Sequence, residues 1–249
     1  MSHRLLRRTG AVIALLVLNG LGGCATTGSA GGAAASTNPA DPWERFNRAV
    51  YGFNDQLDRA VVKPLATTYR DHVPQLVRTG VGNFFGNLAD SWSAANHLLQ
   101  GKLESGLRMG TRFVTNTLIG LGGLLDPASE MGLDRESEDF GQTLGRWGVG
   151  PGPYLVLPLF GPSTLRDALA LPVDLLATPT PLRDDAERIG GRALSLVHTR
   201  AGLLSASRLL EDVALDPYSF LRGVYLARRR NLVHDGDPPE PPPEPEPPK

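Results

Sequence analysis

Apolar residues recur along most of this chain at alternating steps of three and four, yet no uninterrupted apolar run reaches the roughly 18 residues that a bilayer-crossing helix needs. A chain patterned in this way folds into amphipathic helices, whose apolar faces must meet one another or another apolar surface. The clearest stripe is Trp43, Phe46, Val50, Phe53, Leu57 and Val61. It follows Asp41-Pro42-Trp43-Glu44, which offers an N-cap carboxylate, a proline at the first helical position and a glutamate three residues after the cap. Lys63-Pro64 is expected to close this helix. Asn47, Asn54, Asp55 and Asp58 fall off the stripe.

The pattern returns with different punctuation. Pro74 opens a run in which Leu76, Val77, Val81, Phe84, Phe85 and Leu88 share a face, while Gly80, Gly82 and Gly86 lower helix propensity by up to ~1 kcal/mol each and suggest close helix approach. Asp90 or Ser91 is positioned to cap a short helix that Gly101 stops. Leu103 to Leu125 follows, and its second half is apolar nearly all round, a composition for burial in a core or in lipid. Ser163 is placed to cap a helix that Pro172 should kink or end. Arg183 to Val213 reads as one or two amphipathic helices. The last helix, opened by Asp216-Pro217, ends in Arg228-Arg229-Arg230, where cations suit the helix dipole at a solvated end or face acidic head groups.

One stretch breaks the helical pattern. Residues 126–140 are polar and charged, and they precede GQTLGRWGVGPGPYLVLPLFGPS. Neither is expected to form a regular helix. The second is apolar but interrupted by glycine and proline, so its backbone groups must be hidden in a hairpin or against helices. It serves either as a structural plug or as a mobile apolar gate. A phosphate loop is a poor fit for Gly148-x-Gly150-x-Gly152, because Pro151 and Pro153 remove amide donors and no P-loop lysine follows.

The ends differ from this body. A basic start with Arg4, Arg7 and Arg8 leads into the apolar run Ala11 to Leu18, then small residues and Cys24, which is the organisation of a secretory signal. Leu21-Gly22-Gly23-Cys24 resembles the bacterial lipobox, whose cysteine is acylated and becomes the mature N-terminus. Ala25 follows in place of the aspartate that commonly retains such proteins in the inner membrane, which points to the outer membrane. The expected organisation is a signal peptide over 1–23, a lipidated flexible linker over 24–38, a mainly α domain over 39–233 and a Pro/Glu-rich tail over 234–249.

Composition excludes several classes. A net charge of −1 lacks the basic excess of a nucleic-acid binder, so nucleic acid is not an expected partner. One cysteine forms no disulfide framework and no multi-thiolate zinc site. His72, His97, His198 and His234 never stand four apart, and HExxH, GxSxG, P-loop and EF-hand motifs are missing. No catalytic residue, metal ligand or cofactor is expected, and His97 beside Leu98-Leu99 reads as structural.

Taken in order, DPWERFNRAVYGFND (41–55), VVKPLATTYRDHVP (61–74), GNFFGNL (82–88), NHLLQGK (96–102), TRFVTNTLIGLGGLLDPA (111–128), EDFGQTLGRWGVGPGPYLVLPLFGPSTLRDA (138–168) and LDPYSFLRGVYLARR (215–229) closely resemble the MlaA family, also called VacJ. The resemblance runs from about residue 39 to residue 231, behind a lipobox. It implies a ring-like arrangement of amphipathic helices lying within the outer membrane, with a Gly/Pro-rich hairpin segment and a central amphipathic channel. It further implies removal of mislocalised phospholipid from the outer leaflet, association with an outer-membrane porin trimer, and transfer to a periplasmic lipid carrier of the MlaC type, with no covalent step.

Carried over position by position, the resemblance makes Cys24 the lipidation site. Tyr51-Gly52-Phe53-Asn54 matches the first-helix motif, so Phe53 and Asn54 are candidates for the lipid path. Phe53 is equally a core residue of its stripe, and Asn54, off the stripe, is the better polar lining. Phe140, Gly141, Trp147, Gly150, Tyr154, Leu155, Leu157 and Phe160 fall in the candidate hairpin or gate. Two other classes compete with the conduit: a purely structural porin-associated lipoprotein and, without a visible nucleophile and base, a lipid-modifying enzyme.

Overall fold

The computed structural model describes residues 38–181 and 184–239. The signal segment, Cys24, the linker to residue 37 and the tail from residue 240 lie outside the described residues. The body is mainly α-helical, as its patterning implies. Helix α1 (Glu44–Leu57) runs on through a π-helical stretch (Asp58–Val62) into α2 (Lys63–His72). Pro64 therefore does not close the first helix. The wide turn lies just before it and accommodates a residue that lacks an amide and crowds the carbonyl four positions back. Helix α3 (Gln75–Leu99) is likewise one element and not two. Asp90 is no cap, because its carboxylate is buried and takes hydrogen bonds from Arg112 and Arg135.

Helix α4 (Leu103–Leu118) returns along α3, and the segment after it leaves the helix through residues of positive φ at Leu121, Gly122 and Gly123. Two short helices, α5 (Pro127–Glu130) and α6 (Phe140–Arg146), stand where only irregular chain was expected. Both are capped by aspartate: Asp126 accepts from the amide of Ser129 at 3.2 Å and Asp139 from that of Gln142 at 2.8 Å. A hairpin of β1 (Tyr154–Leu157) and β2 (Gly161–Thr164) follows, antiparallel, with Tyr154 opposite Thr164 and Leu157 opposite Gly161. Thr164, and not Ser163, caps α7 (Leu165–Ala177), which continues through Pro172. Helix α8 (Asp185–Val213) is a single element packed on α2, and α9 (Pro217–Val233) completes the body.

Packing inverts the usual partition. On α4 Leu103, Leu107, Val114 and Leu118 are exposed, while Met109, Arg112 and Asn116 are buried. On α7 Leu165, Leu169, Val173 and Leu176 are exposed, while Arg166 and Asp167 are buried. Along α1 the buried residue is Asn47, and Phe46 and Phe53 stand outside. Arg112, at 0% exposure, is the largest fully buried side chain, whereas Leu176 is 82% exposed. In water each large apolar side chain left outside forgoes about 1.5–3 kcal/mol. Among the described residues no helix is long and apolar enough to cross a membrane.

Polar contacts therefore hold the interior. Asn47 donates to Tyr154 O at 3.0 Å and to Asp41 Oδ1 at 2.8 Å, and its Oδ1 accepts from Val156 N at 2.9 Å. Two helical turns on, Asn54 donates to Leu157 O and accepts from Leu159 N, both at 2.9 Å. Two side-chain amides thus substitute for a third strand along the edge of β1. Asp41, expected as an N-cap, is instead buried and receives Tyr218 Oη at 2.5 Å and Arg222 Nη1 at 2.6 Å.

A second cluster fastens α3, α4 and α5. Arg112 donates from Nη2 to both oxygens of Asp126 at 2.9 Å, from Nη1 to Ser129 Oγ at 3.0 Å and to the Leu133 carbonyl, and from Nε to Asp90 at 3.3 Å. Asn116 adds a bond to Asp126 Oδ1 at 2.8 Å. Burial pushes the Asp126 carboxyl up, but the bonds from Ser129, Asn116 and Arg112 together outweigh it and hold the pKa at about 2.

Replacing Asn47 by leucine, which keeps the volume and orphans the Tyr154 carbonyl and Val156 amide, is expected to cost about 2–4 kcal/mol in denaturant unfolding of the detergent-solubilised protein. Phe53→Ala, on the exposed face, should stay within about 0.5 kcal/mol.

Because Asp126 is depressed in the fold, its contribution is present above the ordinary value of 3.8 and disappears as pH falls toward about 2. Unfolding midpoints measured across that window should drop, by up to ~2 kcal/mol from this group. Asp126→Asn should give a less stable protein with a shallower pH slope.

Candidate functional site

A cavity of about 520 Å³ lies between α3, α6, α7, α9 and the hairpin. Its lining is amphipathic. Leu157, Phe160, Leu171 and Leu232 form apolar wall, and Asp139, Asp167, Asp174 and Arg229 bring charge to the same space.

Three elements meet at Arg229 of α9. Its Nη1 donates to Asp139 Oδ2 at 2.5 Å, and its Nη2 donates to Asp139 Oδ1 at 3.0 Å and Asp167 Oδ1 at 2.9 Å. Nε lies 2.9 Å from Asp167 Oδ2 but is out of line for a hydrogen bond. The oxygen it misses is taken by Tyr225 Oη at 2.9 Å, and Arg166 Nε donates to Asp167 Oδ1 at 2.9 Å. Burial alone would lift the Asp167 carboxyl, yet the charges and hydrogen bonds of Arg229 and Arg166 bring it below the ordinary range. Burial would likewise lower Arg229, and its bonds to Asp139 together with the charges of Asp139 and Asp167 raise it instead. The arginine run at the end of α9 is thus not uniformly solvated: Arg228 and Arg230 are exposed, and Arg229 is tied inside.

Asp174 differs. Its Oδ1 accepts Trp92 Nε1 at 2.7 Å and the Phe140 amide at 2.8 Å, but no cation pairs with it among the described residues. Burial raises its pKa, and the two hydrogen bonds offset that only in part.

The residues singled out in the sequence take separate places. Phe140 and Gly141 belong to α6, Trp147 is its C-cap, and the hairpin proper is Tyr154–Thr164, so the hairpin begins later than residue 140. Leu157 and Phe160 border the cavity. Tyr154 is buried against Tyr218 and Tyr225, with ring centroids 6.2 Å away in each case, and Leu155 is half-buried. Trp147 donates from Nε1 to Leu99 O at 3.1 Å and sets its ring edge-on to Phe140 at 6.1 Å. Gly150 lies in the exposed connection before β1. Asn54, besides clamping the hairpin, borders a smaller cavity of about 260 Å³, near the Asp58–Arg200 pair at 2.8 Å. Phe53 lies on the exterior, at 53% exposure, and is not in the wall of either cavity. The hairpin tip carries Leu159 at φ 69°, a conformation costly for a non-glycine residue, and the side-chain Oδ1 of Asn54 accepts from its amide.

Sequence reasoning did not bring together Trp92, Asp139, Asp167, Asp174 and Arg229, which border this space from α3, the N-cap of α6, α7 and α9. Among the described residues no group of three or more His, Cys, Asp or Glu could hold a metal ion. His97 is buried, with Nε2 3.1 Å from the Glu136 carbonyl.

Comparison with known proteins bears on this architecture. The family model for the MlaA lipoprotein matches residues 39–232. The chain belongs to the MlaA lipoprotein family. Within that family it is 38% identical over 219 residues to the intermembrane phospholipid transport system lipoprotein MlaA of Escherichia coli strain K12, covering 86% of this chain and 85% of the relative. The protein of the same description from Haemophilus influenzae is 34% identical over 206 residues, covering 79% and 80%. A solved structure, described as the structural basis for maintenance of bacterial outer membrane lipid asymmetry, superposes with a TM-score of 0.69 at 38% identity, covering 78% of this chain and 98% of that one. Helical MlaA architecture and the fold described above therefore agree.

Gly141 and Gly150 should respond oppositely to alanine. A Cβ on Gly141 would stand 2.6 Å from Asp167 Oδ1 and 2.8 Å from Arg229 Nη2, whereas one on Gly150 meets nothing within 4 Å. Gly141→Ala is expected to cost about 1–3 kcal/mol in unfolding measurements by displacing the ion-pair network. Gly150→Ala should leave stability unchanged within about 0.5 kcal/mol.

Proposed function

We propose that this chain is an outer-membrane lipoprotein that takes mislocalised phospholipid out of the outer leaflet and passes it, chemically unchanged, to a periplasmic carrier of the MlaC type. One observation carries the reading: apolar side chains cover the outside of α1, α4 and α7 while charged and amide groups fill the inside and border an amphipathic cavity. Helices too short to cross a bilayer, with leucine outside and arginine inside, suit a body immersed in acyl chains. Once the exterior is lipid, the exposed leucines cost nothing, and the buried ion pairs gain from the low dielectric around them.

A phospholipid leaving a bilayer needs a polar place for its head group and an apolar wall for its chains, or those chains meet water. The cavity offers both. Leu157 and Phe160 of the hairpin supply apolar wall at one side, and the Asn47 and Asn54 clamps position that wall. In this reading the hairpin is the gate of the path. Cys24 carries the acyl anchor, and since each buried methylene contributes ~0.8 kcal/mol, a multiply acylated cysteine keeps the body at the membrane almost irreversibly. Residues 24–38 act as a tether. Phospholipid transport is supported by the names and descriptions of the relatives, which speak of intermembrane phospholipid transport and outer membrane lipid asymmetry, and a porin trimer is the proposed outer-membrane partner.

In cells lacking this protein, phospholipid exposed at the surface should accumulate, read by labelling of outer-leaflet head groups. Wild type should restore the low level. Cys24→Ala should not, and Leu171→Trp, which narrows the cavity, should restore it only weakly. A deletion strain with unchanged surface phospholipid would count against the transport role and in favour of a structural one.

A further inference from the structure

Most of the charge around the main cavity is already neutralised by the protein itself. Asp139 and Asp167 share Arg229, and Glu138 takes Lys102 at 3.1 Å and Gln100 at 2.9 Å. Asp174 is the exception among the cavity's carboxylates. Among the described residues its Oδ2 accepts no hydrogen bond and no Arg or Lys stands within ion-pairing distance, the charge of Arg229 reaching it only from farther off. A half-buried carboxylate without a cation is unfavourable for the fold, because desolvation is not repaid by a partner. Its raised pKa reports the same deficit.

The surroundings of Asp174 are those that receive an ammonium group. Trp92 is locked beside it by the 2.7 Å bond from Nε1 and borders the same cavity, and an indole is the best aromatic partner for a cation. Gln142, 3% exposed, also lines the cavity and has its Oε1 buried without a hydrogen-bond partner. A carboxylate oxygen, an indole and an amide oxygen make an acceptor set for the N–H groups of a primary ammonium. Arg228 borders the cavity as well and forms no ion pair among the described residues, so it is free to meet a phosphate.

We propose that Trp92, Asp174 and Gln142 form an ammonium site, and that with Arg228 on the phosphate the cavity selects phospholipids whose head group carries a primary amine over anionic ones. This rests on the conduit reading above and adds head-group selectivity to it. The charge arithmetic agrees: a zwitterionic head group brings one cation for the unpaired Asp174 and one anion for the unpaired Arg228, whereas a glycerol head group leaves Asp174 uncompensated.

The test uses the full lipidated protein in detergent, incubated with vesicles of equal phosphatidylethanolamine and phosphatidylglycerol, re-isolated, and its retained lipid weighed by mass spectrometry. Wild type should retain phosphatidylethanolamine over phosphatidylglycerol by about fivefold. Asp174→Asn, which keeps an oxygen for Trp92 and Phe140, should bring the ratio close to one. Trp92→Leu should lower it by a separate route, so the test survives if one variant fails to fold. Arg228→Gln should reduce retention of both lipids. Asp71→Asn, on the exposed end of α2, should keep the wild-type ratio. Lipid retained by wild type at an equal ratio would overturn the ammonium site and leave the conduit standing. No retained lipid at all would overturn both. Binding of soluble O-phosphoethanolamine by a protein that retains no lipid would assign the site to a free amine and likewise overturn the lipid proposal.

Discussion

Asn47 and Asn54 each turn a side-chain amide against the outer edge of β1, and the placement of the hairpin follows from that pairing. A two-stranded hairpin is marginal alone and leaves open edges. Here the backbone of Ala40 and two asparagines spaced two helical turns apart complete the edge of β1, so that a helix does the work of a strand. The same asparagines fix the hairpin tip, and with it Leu157 and Phe160 at the cavity. Asp41, Tyr218 and Arg222 close the other end of the clamp and bring α9, with Arg229, to its position.

An interior held by polar groups is a consequence of an apolar exterior. In a water-soluble domain, packing of leucine and valine supplies most of the stabilisation, and polar groups settle detail. Here the largest buried side chain is Arg112, and its partners come from α3 (Asp90) and from the start of α5 (Asp126 and Ser129). Such networks are unforgiving, since removing one member strands the rest. They also specify geometry, because a bidentate guanidinium accepts few arrangements. The cavity inherits that rigidity on the Asp139–Arg229–Asp167 side and lacks it at Asp174, which is where a ligand would complete it.

Several local rules gave way to tertiary contacts. Asp41-Pro42-Trp43-Glu44 has every mark of a helix start, yet the helix begins at Glu44 because the Asp41 carboxylate has stronger donors in Tyr218 and Arg222. Asp90 sits where a cap was expected and is drawn inward by two guanidinium groups. Pro64 and Pro172 both lie within helical segments, the first beside a π-helical stretch that makes room for it. For the two aspartates, partners distant in sequence supplied more than the local preference cost.

The helical character of the body, its apolar stripes and the apolar Gly/Pro stretch were legible in the sequence, because helical periodicity acts within a few residues, whereas the number of helices and their ends were not. The off-stripe position of Asn47 and Asn54 was legible as well. Which face points inward was not. An apolar stripe states only that its residues avoid water, and both a protein core and a surrounding lipid satisfy that demand. Only the tertiary structure turned those stripes outward and the asparagines, aspartates and arginines in. It also gathered Trp92, Asp139, Asp167, Asp174 and Arg229 around one space, since convergence of residues from separate elements is set by packing and leaves no pattern along the chain.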